Sequence, residues 1–148
     1  MIPRMKSGII TVALVLLGFV FPGVANAETP PGCGSAAQIG STAYIQFQGN
    51  NIASVKQFAG CGYNYSYVYM WESFRNSGKN WITQTAIGVY SSATDTTPDT
   101  HKGGNSNQYN PKELWGKPAD TLDKCTAAYG LVYVYQYDNY SKYTGKRC

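Results

Sequence analysis

Residues 65–74 alternate more strictly than any other stretch of the chain, and that alternation limits the fold before anything else does. Tyr65, Tyr67, Tyr69 and Trp71 fall on one side of an extended ribbon, and Val68, Met70 and Phe74 on the other. A period of two marks a β-strand, because successive side chains leave opposite faces of a pleated backbone. Segments 42–47, 52–58, 81–90 and 129–137 read the same way, and a sixth strand is expected near 140–143. Gly49, Asn50 and Asn51 turn the first pair into a hairpin, since Gly and Asn tolerate positive φ. Gly60, Cys61 and Gly62 end the second strand, and Asn76, Ser77, Gly78 and Lys79 make a further turn. The pattern predicts an all-β fold: a small antiparallel β-sandwich or open barrel.

Counted from Cys61 and Cys125, two of these strands share the pattern C-x-x-x-Y-x-x-V-Y-x-aromatic. It matches Tyr65 with Tyr129, Val68 with Val132, Tyr69 with Tyr133 and Trp71 with Tyr135. Similar packing demands on two central strands of one sheet account for it, and a repeat architecture needs at least three stacked units. Between the fourth and fifth strands, 91–123 loses all periodicity and holds Gly103, Gly104, Pro98, Pro111 and Pro118. One helical turn is expected at 111–115, with Asn110 as N-cap and Pro111 at the first position. The rest is expected to be one long irregular loop, a feature that in a small domain often carries function.

Residues 1–27 have the layout of a secretory signal peptide. Arg4 and Lys6 precede an apolar run over 9–21, and Ala25-Asn26-Ala27 supplies a small-residue cleavage site. The apolar run is short for a membrane span, so the protein is expected to be secreted, as a single domain over 28–148. Cys33, Cys61, Cys125 and Cys148 all fall in that part, and four cysteines in an exported chain predict two disulfides. Three pairings are possible; Cys33–Cys61 with Cys125–Cys148 is preferred because shorter loops close more readily. No C-x-x-C occurs, which argues against a zinc or redox site.

Charge narrows the partners. The full chain carries a formal +4, and removing Arg4 and Lys6 leaves ten basic against eight acidic residues. Nucleic-acid binding needs a denser basic face, so that partner is not expected. Lys142, Lys146 and Arg147 form only a mildly basic, solvated tail.

Chemistry of a catalytic kind has thin support. His101, the single histidine, sits near Asp99, with Ser91 and Ser92 upstream, but no G-x-S-x-G elbow exposes a nucleophile. Asp95, Asp99 and His101 match no calcium-loop spacing, and neither metal nor cofactor is expected. A small extracellular hydrolase would need two carboxyls flanking a bond, and Glu72 with Asp138 is the available pair.

Binding fits the composition better. Thirteen tyrosines and three tryptophans exceed what strand propensity requires. Tyr and Trp suit interfaces because they bury much area while losing few torsions. The expected contact residues are Tyr65, Tyr67, Tyr69, Trp71, Tyr133, Tyr135 and Tyr137 on one sheet face, with Trp115 from the adjoining loop. A protein partner is placed first, with an inhibitor or a subunit of an extracellular complex in view; a glycan, bound by a carbohydrate-binding module, is the alternative. The stretch Gln46-x-Gln48-x-Asn50-x-Ile52 partly resembles the Q-x-D-x-N-x-V-x-Y motif of mannose-binding lectins of the monocot type. It departs at Gln48 and Ser54 and occurs once, and strand-plus-turn chemistry accounts for the same letters. Asn64-Tyr65-Ser66 and Asn139-Tyr140-Ser141 are glycosylation sequons by pattern.

Overall fold

Val55 and Val68 of one sheet meet Gly130 of another at the centre of the molecule, and the architecture follows from that contact. The computed structural model describes residues 28–148, so the expected signal peptide lies outside the described residues. Two four-stranded antiparallel sheets pack face to face, which makes the fold a small disulfide-tied β-sandwich. The first sheet has the order β1–β2–β3–β6, from Ala37–Phe47, Asn50–Gly60, Tyr63–Met70 and Glu113–Trp115. The second has the order β5–β4–β7–β8, from Thr100–Asn107, Trp81–Tyr90, Cys125–Val134 and Asn139–Tyr143. Among the described residues no helix is long and apolar enough to cross a membrane.

The core is filled by the aliphatic face that the alternation predicts. Ile45, Val55, Val68 and Met70 come from the first sheet, Ile87, Ala128, Val132 and Val134 from the second. Phe47, Phe74 and Trp81 close one end of it. Gly130 has no side chain because a Cβ there would lie 2.5 Å from Val55 Cγ2 and 2.8 Å from Val68 Cγ2.

Tight turns set the registers. Gln48 and Gly49 both take positive φ, +50° and +80°, giving a two-residue hairpin between Phe47 and Asn50. The turn thus falls slightly earlier than the sequence suggests. Cys61 and Gly62 repeat this geometry between Gly60 and Tyr63. Cys61 is bonded to Cys33 and Cys125 to Cys148, the preferred pairing. Such bonds persist in oxidising compartments.

Several expectations are corrected. The 91–123 segment is not one irregular loop: it contains β5, paired to β4, and β6, paired to β3. No helical turn forms at 111–115, where β6 runs instead; Asn110 adopts φ +50° and accepts a hydrogen bond from the Trp81 N–H through Oδ1. The third strand stops at Met70, and α1 (Glu72–Arg75) follows with Trp71 as its N-cap residue. The fifth expected strand stops at Val134, because Gln136 takes φ +67° in a turn.

β3 and β7 are not neighbours in one sheet; they are central strands of opposite sheets. Both send a valine, Val68 and Val132, into the same core, so their tyrosines point outward in opposite directions.

Candidate functional site

The outer face of the first sheet is largely covered. Tyr65 and Tyr67 are only 3% and 1% exposed, in a cluster with Cys33 and Phe58. Residues 28–36 lie across this face, pinned by the Cys33–Cys61 bond and by Glu28, whose carboxylate is 2.5 Å from Lys56 Nζ. Gly60 lets the lead-in approach closely, since a Cβ there would sit 2.5 Å from Ala36 Cα. Trp115 completes the cover, its ring 4.3 Å from Tyr67 and 5.0 Å from Phe58. Tyr67 donates a 2.7 Å hydrogen bond to Glu113 Oε2. Burial first, and then that carboxylate, pushes the Tyr67 hydroxyl far above its usual range.

The eight expected contact residues therefore do not form one surface. Tyr65, Tyr67 and Trp115 belong to this second, covered core, with Tyr69 half-buried beside it. The expectation of an open tyrosine face on β3 is overturned there. Trp71 packs edge-on against the exposed Tyr44, centroids 5.9 Å apart. Tyr137 lies at the end of the sandwich against Phe47, at 4.9 Å, with Lys79 Nζ 5.3 Å from its ring. Tyr133 and Tyr135 remain together, centroids 5.3 Å apart, on the outer side of the second sheet.

That outer side is where tyrosines meet solvent. In antiparallel pairs, directly opposed residues share a face. Ala86 opposes Tyr129, which opposes Tyr143; Gln84 opposes Leu131, which opposes Ser141; Ile82 opposes Tyr133, which opposes Asn139. On the other flank Gly88 opposes His101, and Gln84 opposes Ser106. The face therefore has a low floor of Ala86 and Gly88 between walls of rings. A groove of about 600 Å³ results, lined by Gln84, Ala86, His101, Asn105, Tyr129 and Tyr143 among others.

The walls hold each other. His101 Nε2 and Tyr143 Oη share a 2.8 Å hydrogen bond. The Tyr129 and Tyr143 rings lie 4.9 Å apart, and His101 is 5.5 Å from Tyr129. Burial, followed by the nearby phenols Tyr90 and Tyr129, raises the Tyr143 hydroxyl above its usual range. Asn105 is occupied structurally, donating to Trp115 O at 2.8 Å and accepting from the Ser106 N–H. Gln84 is exposed, and its amide makes no hydrogen bond among the described residues. None of the residues lining the groove is a carboxylate.

The other candidates are dispersed. Ser91 Oγ donates to Asp99 Oδ2 at 2.6 Å while His101 pairs with Tyr143, so Ser, His and Asp do not assemble a relay. No group of three metal-ligating side chains occurs among the described residues. Glu72 lies in α1 and Asp138 in the β7–β8 turn, both exposed. Gln48 sits in the hairpin turn at φ +50°, which breaks the strand that the lectin-like spacing requires. Asn64 is 2% exposed and donates to Thr121 O and Oγ1, so its sequon cannot carry a glycan in the folded chain; Asn139 is exposed.

Tyr129, Tyr143 and His101 were missed as site residues. Tyr129 was visible only as the partner of Tyr65 in a shared pattern, and nothing in the sequence brings His101 to Tyr143. No protein-family model, curated protein sequence or solved structure matches the chain.

Proposed function

We propose that this is an exported, non-catalytic carbohydrate-binding protein that takes its ligand in the groove on the outer face of the second sheet. Export is supported by the signal-like 1–27 segment together with the two disulfides. The observation that carries the binding reading is the pairing of accessible rings, Tyr129 and Tyr143, with the unpartnered Gln84 amide in one concave site. Ring faces cover the apolar faces of sugars, and a few polar groups fix orientation, the usual division of labour in a small-molecule site. A groove without a carboxylate supports binding over hydrolysis. A protein partner has less support, because the tyrosine row expected to dock it is split between a covered face and an open one.

Retention on insoluble cellulose, chitin and xylan tests this. Wild-type protein is expected to co-sediment with at least one polymer, and Tyr143→Ala or Tyr129→Ala to reduce retention about tenfold, the effect of losing roughly 1.4 kcal/mol. No retention on any polymer, with a secreted protein co-purifying at fixed stoichiometry, would favour the docking alternative. Turnover of a chromogenic glycoside that disappears in Glu72→Gln would favour the hydrolase.

A further inference from the structure

The row of rings on β7 does not end at the groove. Tyr129, Leu131 and Tyr133 leave the strand on the open face, and Tyr135 continues the row, its ring 5.3 Å from Tyr133. From Tyr129 to Val134, where the strand ends, the chain advances about 17 Å at the usual strand rise. At the far end Tyr135 and Tyr109 border a second depression of about 410 Å³, whose other lining residues are Asn80, Gln108 and Asn110.

This second depression is braced. Asn110 accepts from the Trp81 N–H at 2.7 Å and donates through Nδ2 to Asn80 Oδ1 at 2.7 Å. The Tyr109 N–H donates to Asn107 Oδ1 at 3.0 Å. The backbone that presents Tyr109 is thus held, yet the residue is 89% exposed, more than any other large hydrophobic residue among the described ones. A ring displayed on a fixed backbone has little ordering cost left when a ligand arrives. The Gln108 amide makes no hydrogen bond among the described residues. From Gln84 in the groove, beside Leu131, to Asn139 beside Tyr133, amides alternate with apolar groups along the strip. The far depression contains no Lys, Arg, Asp, Glu or His, whereas Lys117 and His101 line the groove.

We infer that the strip binds an extended polysaccharide that is uncharged where it meets the far depression, with a second subsite at Tyr109, Tyr135, Asn80 and Gln108. The inference rests on the glycan-binding reading of the groove. Two linked subsites, one on the sheet and one in the braced loops at its end, make the second contact intramolecular, so affinity rises with chain length until both are filled.

Calorimetry with cellohexaose, xylohexaose and chitohexaose, each beside its disaccharide, tests it on the full chain. The hexasaccharide that binds is expected to do so at least about tenfold more tightly than its disaccharide. Tyr109→Ala is expected to remove that difference while leaving disaccharide affinity unchanged; Tyr109 is exposed, so the variant keeps the fold. Equal affinity for both lengths, or no effect of Tyr109→Ala where Tyr143→Ala abolishes binding, would overturn the second subsite and leave the groove standing. Binding of none of the six saccharides would remove both.

Discussion

Tyr129 and Tyr143 face each other across the β7–β8 pair, ring centroids 4.9 Å apart and planes inclined by 41°. Their hydroxyl ends differ in role, because Tyr143 alone is tied to His101, through its Nε2 at 2.8 Å. That bond makes Tyr143 the fixed wall of the groove. Tyr143→Phe keeps the ring and removes the bond. It is expected to change thermal stability by less than about 1.5 kcal/mol, while weakening sugar retention less than Tyr143→Ala does. Parallel melts and retention assays check this.

Gly130 marks a close approach of the two sheets. Gly130→Ala puts a Cβ within 2.5 Å of Val55 Cγ2, and the rigid strand beneath leaves little room to relax. Overpacking of this kind costs about 1–3 kcal/mol. Adding Val55→Ala in the same chain is expected to recover part of the loss in urea denaturation. A double variant less stable than both single variants would contradict the contact.

The covered face of the first sheet predicts alkaline lability. The folded chain holds the Tyr67 proton more tightly than the unfolded chain does, because burial and then Glu113 oppose the phenolate. Stability from this group is complete below the ordinary tyrosine value of 10.0 and falls as pH rises beyond it. The slope is about 1.4 kcal/mol per pH unit for one proton. Tyr67→Phe is expected to flatten the decline in denaturant midpoint above pH 10.

Lys146 secures the 91–99 segment. Its ammonium donates to Ser92 O at 3.4 Å, to Ala93 O at 3.0 Å and to Asp95 O, and lies 4.3 Å from the Tyr90 ring centroid. Lys146→Met would leave three carbonyls without this donor. A loss of about 1.5–3 kcal/mol is expected, the scale of hydrogen bonds to a charged group. Hydrogen exchange should quicken at 91–99 while the central strands stay protected.

The Cys33–Cys61 bond holds the lead-in over Tyr65 and Tyr67. Replacing both cysteines by serine is expected to cost about 2–4 kcal/mol and to raise tyrosine accessibility to quenchers. The groove lies on the other sheet, so sugar retention should survive in the folded fraction.

Strand content and disulfide pairing were legible because they rest on local patterns: the alternation of 65–70, 81–90 and 129–134, and loop lengths between cysteines. The placement of the strands was not legible. Val68 and Val132 are each followed by a tyrosine and preceded three residues earlier by another, because each is central to a sheet, and sequence alone cannot tell one sheet from two facing ones. β5 was invisible because its residues, Thr-His-Lys-Gly-Gly-Asn-Ser-Asn, are polar on both faces at a sheet edge, where backbone pairing to β4 needs no apolar stripe. The alternation also outran the strands: Trp71 and Tyr135 keep the period but lie past Met70 and Val134, where a helix and a turn begin. Tyr65 and Tyr67 were misassigned for a simpler reason. A tyrosine under a proline-rich lead-in has the same local sequence as one in water.

Amide chemical-shift mapping with the tightest-binding hexasaccharide tests the central claim most directly. Shifts are expected to concentrate at Gln84, Ala86, Tyr129, Leu131 and Tyr143, and to extend to Tyr135 and Tyr109. Shifts confined to β1, α1 or the covered Tyr65–Tyr67 region, with the second sheet silent, would contradict it.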